Sequence, residues 1–247
     1  MTPSQRYFFD VAGYLHIKNA LTEKELSDGR LACERYMKLE DNQFPDGFGK
    51  DGKRYINGFA FDRSLERLVF HPSTWPVIME LTNGKPKLVS GTLQIDQPGA
   101  EGGGLHCARD DYGWESCRYE VKNSRIYCDN FVVFPYFDDV LPGDGGLLLV
   151  PGSHKAQFER PRHLFQDGHP SDSKNLPEGI INVTPKAGDI LVMPELMTHG
   201  ILPWQPTDRL RRILVLRYAP QYRGGGGVPE SLEGQLLPET QELMSSA

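Results

Sequence analysis

Two hydrophobic patterns divide the chain. Between Thr22 and Leu39 the apolar residues Leu26, Leu31 and Met37 form a rough stripe among charged neighbours. Thr22 and Glu25 fit a capping box, in which each side chain satisfies a free backbone N–H of the first turn. A helix is predicted there. A second helical stretch is predicted from about residue 64 to 80, interrupted near Pro72 and Pro76, because proline has no N–H to give the helix. Residues 41–60 are rich in Gly and Asp and read as a loop. From Lys87 onward the pattern turns to short strands, best seen at 89–95, 126–137, 146–150, 180–184, 189–193 and 213–218. Pro142-Gly-Asp-Gly-Gly146, Pro151-Gly152 and Ala187-Gly-Asp189 are the turns between them. Residues 155–179 are polar and read as a long surface insertion or lid. The tail after Tyr222, with glycines at 224–227, reads as a loosely packed extension.

Helices followed by many short strands predict an α+β, mainly β protein, with an antiparallel core flanked by helices and a double-sheet jelly roll as the natural candidate. The 247 residues suit one domain: a helical part at about 1–85, a β core at about 86–220 and a tail at 221–247. The 26 glycines and 19 prolines favour a turn-rich β protein over a helical bundle. A net charge of −6 argues against nucleic acid or an anionic membrane as the main partner. No apolar run approaches the roughly 18 residues a membrane span needs. Cys33, Cys107, Cys117 and Cys128 have no CxxC spacing, and residues 1–10 lack the apolar stretch of a signal peptide. Free thiols in a reducing compartment, and a cytoplasmic location, are the expectation.

His199 is the most informative residue. It follows a turn, an apolar strand and a short link, and Arg211 and Arg212 open the next β-prone run. Imidazole suits iron, and arginine captures a carboxylate bidentately, so this order suits a metal bound beside a carboxylate-bearing cosubstrate. Its partner should lie far upstream, because metal ligands in a β-barrel come from strands distant in sequence. His106, which ends a strand and a Gly-rich turn running from Leu93 through Gly102-Gly-Gly-Leu105, is the candidate. His154 reads as a turn residue, and His16, His71, His163 and His169 as surface or packing residues. Arg209, Arg212 and Arg217 read as solvated strand-edge charges. Tyr112, Trp114, Tyr127, Phe134 and Tyr136 are candidates for a substrate pocket, though aromatic residues at such positions are more often core.

Several segments carry a family resemblance. They are Phe9-Asp-Val-Ala-Gly-Tyr-Leu-His-Ile-Lys-Asn-Ala-Leu-Thr22, Pro142-Gly-Asp-Gly-Gly-Leu-Leu-Leu-Val-Pro-Gly-Ser-His-Lys155, Thr198-His-Gly-Ile-Leu-Pro-Trp204 and Arg211-Arg-Ile-Leu-Val-Leu-Arg-Tyr218. In order and spacing they resemble the phytanoyl-CoA dioxygenase family of Fe(II)/2-oxoglutarate-dependent oxygenases, over roughly residues 7–220. The resemblance implies a double-stranded β-helix that binds Fe(II) and 2-oxoglutarate and uses O2. It maps His106 and His199 onto the iron ligands. Arg211, with Arg212 as neighbour, maps onto the clamp for the far carboxylate of 2-oxoglutarate, and strand alternation lets only one of the two point inward.

The chain departs from that pattern at one place. The acid of a facial triad stands two residues after the first histidine, and here that position is Ala108. Three readings stand open. An open coordination position would resemble the aliphatic halogenases, where chloride replaces the carboxylate. Asp110, Asp111 or Glu195 could supply the acid instead. Or the metal is lost. The matching functions are hydroxylation of an unactivated C–H bond in a small organic substrate, chloride-dependent halogenation, and non-catalytic small-molecule binding.

Overall fold

The computed structural model describes residues 1–112, 117–161, 172–224 and 227–245. A seven-stranded antiparallel sheet forms the main wall. Its strands are β1 (Leu15–Ile17), β2 (Gly49–Asp51), β3 (Arg54–Ile56), β4 (Pro86–Asp96), β8 (Phe131–Pro135), β11 (Ile190–Pro194) and β13 (Arg211–Pro220), in the order β1-β11-β8-β13-β4-β3-β2. A four-stranded sheet contains β5 (Gly103–His106), β9 (Gly146–Leu149), β10 (Ile181–Asn182) and β12 (His199–Leu202), in the order β10-β9-β12-β5. β6 (Tyr119–Lys122) and β7 (Arg125–Cys128) form a separate hairpin.

The period-2 alternation of strands sorts the side chains into layers. Along β13, Ile213 and Val215 meet Leu147 and Leu149 of β9, Val132 of β8 and Met193 of β11 in one buried cluster between the sheets. Leu214 and Leu216, of opposite parity, pack the other way, against Phe9, Ala32, Cys33 and Leu65 of the helical part. Leu105, Leu148 and Leu202 cover the outer face of the smaller sheet with Ile180. The antiparallel two-sheet core flanked by helices matches the expectation from the strand pattern.

The helices begin where their caps dictate. α1 (Pro3–Ala12) starts on a Thr2/Gln5 capping box and ends at Gly13. α2 (Glu23–Met37) starts on the expected Thr22/Glu25 box. The second helical stretch is broken into α3 (Arg63–Glu66), a 3-10 turn (Arg67–Phe70) and α4 (Trp75–Leu81), with Pro76 in the first turn of α4, where its missing N–H costs nothing.

Four expectations are corrected. Residues 41–60 are not all loop: Gly52-Lys53, with Gly52 at φ 56°, turns the β2–β3 hairpin, which extends the large sheet beyond β4. The predicted strand 126–137 is two strands, β7 paired in the hairpin and β8 in the large sheet, and between them Asp129 is tied to Arg118 by a main-chain bond and by its side chain accepting from the Arg118 N–H. The glycines before His106 are a strand as well as a turn. The tail is not loose: the helix Pro238–Ser245 lies against β4, with Leu232, Leu236, Leu243 and Met244 buried. Burying each such side chain stabilises by about 1.5–3 kcal/mol, enough to hold a terminal segment down. The middle of the expected lid, 162–171, including His163 and His169, lies outside the described residues, as does Trp114. All four cysteines are free and buried. Among the described residues no helix is long and apolar enough to cross a membrane.

Candidate functional site

His106 and His199 stand opposite each other in the β5–β12 ladder. Directly opposed residues project to the same face of a sheet. Here that is the inner face, because Leu105 and Leu202, of opposite parity to them, lie in the outer cluster. The two rings approach to 4.3 Å between centroids. The close approach depends on glycine: a Cβ at Gly200 would lie 3.0 Å from the Gly103 carbonyl oxygen.

Both imidazoles are oriented by the main chain. His199 Nδ1 lies 2.7 Å from the Met197 carbonyl oxygen, and His106 Nδ1 lies 3.0 Å from that of Gly104. A carbonyl only accepts, so each Nδ1 carries the proton and donates it. Each Nε2 then keeps its lone pair, the tautomer a metal ligand needs. Burial, with His106 beside it, pushes His199 down to about 4, so this ring is neutral at physiological pH. A facing pair of oriented imidazoles, with no hydrogen bond at either Nε2 among the described residues, fits a soft-to-borderline divalent cation such as Fe(II).

Ala108 is 3 % exposed, and its N–H donates to the Glu195 carbonyl at 2.8 Å. That bond joins the turn after His106 to the loop before His199. Of the acids considered for the third ligand, Asp110 is engaged elsewhere: its Oδ2 accepts from the Cys107 N–H at 2.8 Å and pairs with Arg160. Glu195 Oε1 accepts from Arg217 Nε at 2.9 Å. The Asp111 side chain lies outside the described residues, as does that of Tyr112. Among the described residues no group of three His, Cys, Asp or Glu side chains is assembled for a metal.

The two candidate clamps separate cleanly. Arg212 points to the helical side, where its Nε and Nη2 bond Asp138 at 2.8 and 2.7 Å. Arg211, one residue earlier, faces between the sheets and is 1 % exposed. Its Nε and Nη2 hold Asp96 Oδ2 at 3.0 and 2.8 Å, and its charge lies 5.6 Å from the Trp204 ring centroid. Nη1 has no hydrogen bond among the described residues. Gly146, at φ 86°, leaves it room: a Cβ there would lie 2.4 Å from Nη1.

A cleft of about 530 Å³ adjoins the imidazoles, lined by His106, Ala108, Glu195, Ser90, Asn130 and three arginines, Arg54, Arg217 and Arg223. Arg217 was expected to be a solvated edge charge. Alternation from Arg211 through Ile213 and Val215 puts it on the inner face, a signal present in the sequence. Of the aromatic candidates, Tyr136 and Phe134 pack in the cluster between the sheets, and Tyr127 sits under Arg118 on the separate hairpin. His154 is fully buried, and neither ring nitrogen has a partner among the described residues. His16 pairs with Asp189 at 2.7 Å and His71 lies 3.6 Å from Glu25, so both are structural.

The chain is similar in fold to HygX from Streptomyces hygroscopicus in a crystal structure with nickel and 2-oxoglutarate bound, with a TM-score of 0.74, 23 % identity and coverage of 89 % of this chain and 87 % of that one. It is also similar to SnoK, a non-heme alpha ketoglutarate dependent carbocyclase from nogalamycin biosynthesis, with a TM-score of 0.63, 18 % identity and coverage of 90 % and 85 %. A probable phytanoyl-CoA dioxygenase from Caenorhabditis elegans is 23 % identical over 89 % of this chain and 75 % of its own length. The phytanoyl-CoA dioxygenase family model matches residues 9–203, which hold both facing imidazoles and most of the two-sheet core, and the chain therefore belongs to the phytanoyl-CoA dioxygenase family.

Proposed function

We propose that the protein is a non-heme Fe(II)/2-oxoglutarate-dependent oxygenase that hydroxylates an unactivated C–H bond of a small organic substrate, on a double-stranded β-helix. The observation that carries this is the opposed pair His106 and His199, each with Nδ1 on a main-chain carbonyl and Nε2 left to bind. Nickel, iron and 2-oxoglutarate bound to HygX, a neighbour in fold, support the reading. When bound, iron with 2-oxoglutarate and O2 supplies the oxidising power, releasing succinate and carbon dioxide.

The chain's own residues do the rest. His106 and His199 hold the metal in one orientation, because their rings are fixed before it arrives. Arg211 binds the far carboxylate of 2-oxoglutarate through Nη1, while Asp96 fixes the guanidinium plane. Val132, Leu149, Met193 and Val215 keep the inner wall apolar, which strengthens each charge contact made against it.

A second reading, chloride-dependent halogenation, is favoured by Ala108. A buried methyl group at the position of the missing acid leaves room for a small anion at the metal. Anaerobic titration of the purified protein with Fe(II) and 2-oxoglutarate, followed by succinate release in air, tests the oxygenase. Stoichiometric iron with succinate production is expected. Absence of both would leave a non-catalytic binding protein. Product mass with and without chloride separates the two chemistries.

A further inference from the structure

We infer that the substrate carries an anionic group, a carboxylate or a phosphate-type group, which docks on Arg54, Arg217 and Arg223 in the cleft beside the two imidazoles. Three arginines from separate elements reach this one cleft: Arg54 from β3, Arg217 from β13 and Arg223 from the turn that follows it. One carboxylate, Glu195, shares the lining. The excess of positive charge beside the candidate metal ligands therefore lacks a counter-ion within the cleft wall.

The hydrogen bonds sharpen the point. Arg217 uses only Nε to hold Glu195, and its two terminal nitrogens have no partner among the described residues. Arg54 has no side-chain hydrogen bond or ion pair among the described residues. It stands beside Gln94 in the β3–β4 ladder, on the side that faces the cleft. Arg223 is only loosely held, 3.8 Å from Asp129. Ser90 and Asn130 add neutral polar groups between them. A guanidinium offers a planar fork of donors matched to a carboxylate or phosphate, and two such forks with open donors are a receptor for one anion. Glu195 fixes Arg217 by its Nε edge and so aims the open edge away from itself.

The cleft is distinct from the place of Arg211, which lies toward the opposite end of β13 and is held there by Asp96. An anion in the cleft would leave the rest of its molecule over His106 and Ala108. This inference rests on the oxygenase reading only for what happens to that remainder, since anion binding needs neither iron nor cosubstrate.

The test uses the full-length, metal-free protein titrated with four probes of one shape: benzoate, phenyl phosphate, benzyl alcohol and benzylamine, followed by calorimetry and ligand-observed NMR. Binding of benzoate or phenyl phosphate, with the alcohol and the amine at least tenfold weaker, is expected, and the tighter of the two anions names the group. Arg54→Gln and Arg223→Gln should each weaken the preferred anion about tenfold. Arg209→Gln, which removes the same charge outside the cleft, should leave it unchanged. Equal binding of all four probes, or no binding, overturns the inference. So does anion binding that survives Arg54→Gln and Arg223→Gln but is lost in Arg211→Ala, because the probe would then occupy the cosubstrate pocket. Failure of the oxygenase reading shows separately, as absent Fe(II) and 2-oxoglutarate binding with the anion preference intact.

Discussion

Asp96 and Arg211 face each other across the β4–β13 ladder, both 1 % exposed, and one carboxylate oxygen receives two guanidinium N–H groups. The same carboxylate has Lys53 Nζ 3.2 Å from its other oxygen. A buried charge is tolerated in a protein only when it is paired. Asp96→Asn should therefore destabilise the protein by about 3–5 kcal/mol in denaturant unfolding, because it strands a buried guanidinium. Asp96→Asn with Arg211→Met should recover part of that loss. A single variant within about 1 kcal/mol of wild type would mean that water or a neighbour already screens the pair.

Arg211→Ala addresses ligand binding. Losing a charge-assisted carboxylate pair costs about 2–4 kcal/mol, or about 30- to 1,000-fold in affinity. The apparent KM for 2-oxoglutarate should rise by that factor. Arg212→Ala should leave it near wild type, since Arg212 is spent on Asp138 on the helical side. The opposite outcome would transfer the clamp to Arg212.

How far the sequence carried these assignments depends on the signal each residue leaves. Thr22 and Glu25 name a helix start because capping is local chemistry, and the structure keeps it. The Arg211/Arg212 ambiguity is one that alternation poses and only the sheet partners resolve. Arg217 follows from the same alternation. The pairing of His106 with His199 left no such trace. β5 is a glycine run with no hydrophobic period, and its strand character comes from contact with β12. Arg54 was hidden by a Gly- and Asp-rich stretch in which Gly52, the first residue of the two-residue turn, is itself a hairpin signal. The tail misled for a related reason: its glycines read in the sequence as a loose stretch, but the apolar residues beyond them, Leu232, Leu236, Leu243 and Met244, decide where it docks.

His199→Ala should abolish Fe(II) binding. With two imidazoles as the ligands assembled among the described residues, removing one leaves a single neutral donor, too weak to retain the metal. Elemental analysis and titration of the folded variant check this, and His106→Ala should match it. Wild-type iron occupancy in either variant would place the metal elsewhere.

His154, whose neighbour Ser153 accepts from the Thr198 N–H beside His199, gives the protein a second pH dependence. Its ring is fully buried, edge-on to Tyr119 at 4.4 Å, and burial pushes it down to about 4. In the unfolded chain a histidine titrates near about 6.5. Between those values the unfolded chain holds a proton that the folded one does not, so stability is full above the unfolded value and falls as pH drops toward about 4. The loss is on the order of 3 kcal/mol across that window. His154→Phe should flatten the fall, seen as a smaller change in urea midpoint between neutral and mildly acid pH. An unchanged slope would remove His154 as its source.

On the proposed oxygenase reading, Ala108 separates hydroxylation from halogenation. It is buried, its N–H is committed to the Glu195 carbonyl, and its methyl stands where the family pattern has a carboxylate. If the metal has an open position there, Ala108→Asp should fill it. Iron affinity should hold or rise, because the site gains an anionic oxygen ligand, and any chloride dependence of the wild type should vanish. If a neighbouring acid already serves, the new carboxylate would compete with it, and Asp110→Ala, Asp111→Ala or Glu195→Ala alone would weaken iron binding. The geometry favours the open position over Asp110, whose Oδ2 is bound to the Cys107 N–H and Arg160. Glu195 would have to leave Arg217 to reach the metal, so Arg217→Ala would free it and raise iron affinity if Glu195 were a ligand in waiting. Iron titrations across these variants, with and without chloride, separate the cases. Loss of iron in any of the three acid variants as complete as in His106→Ala would assign that acid as the third ligand and end the open-site reading.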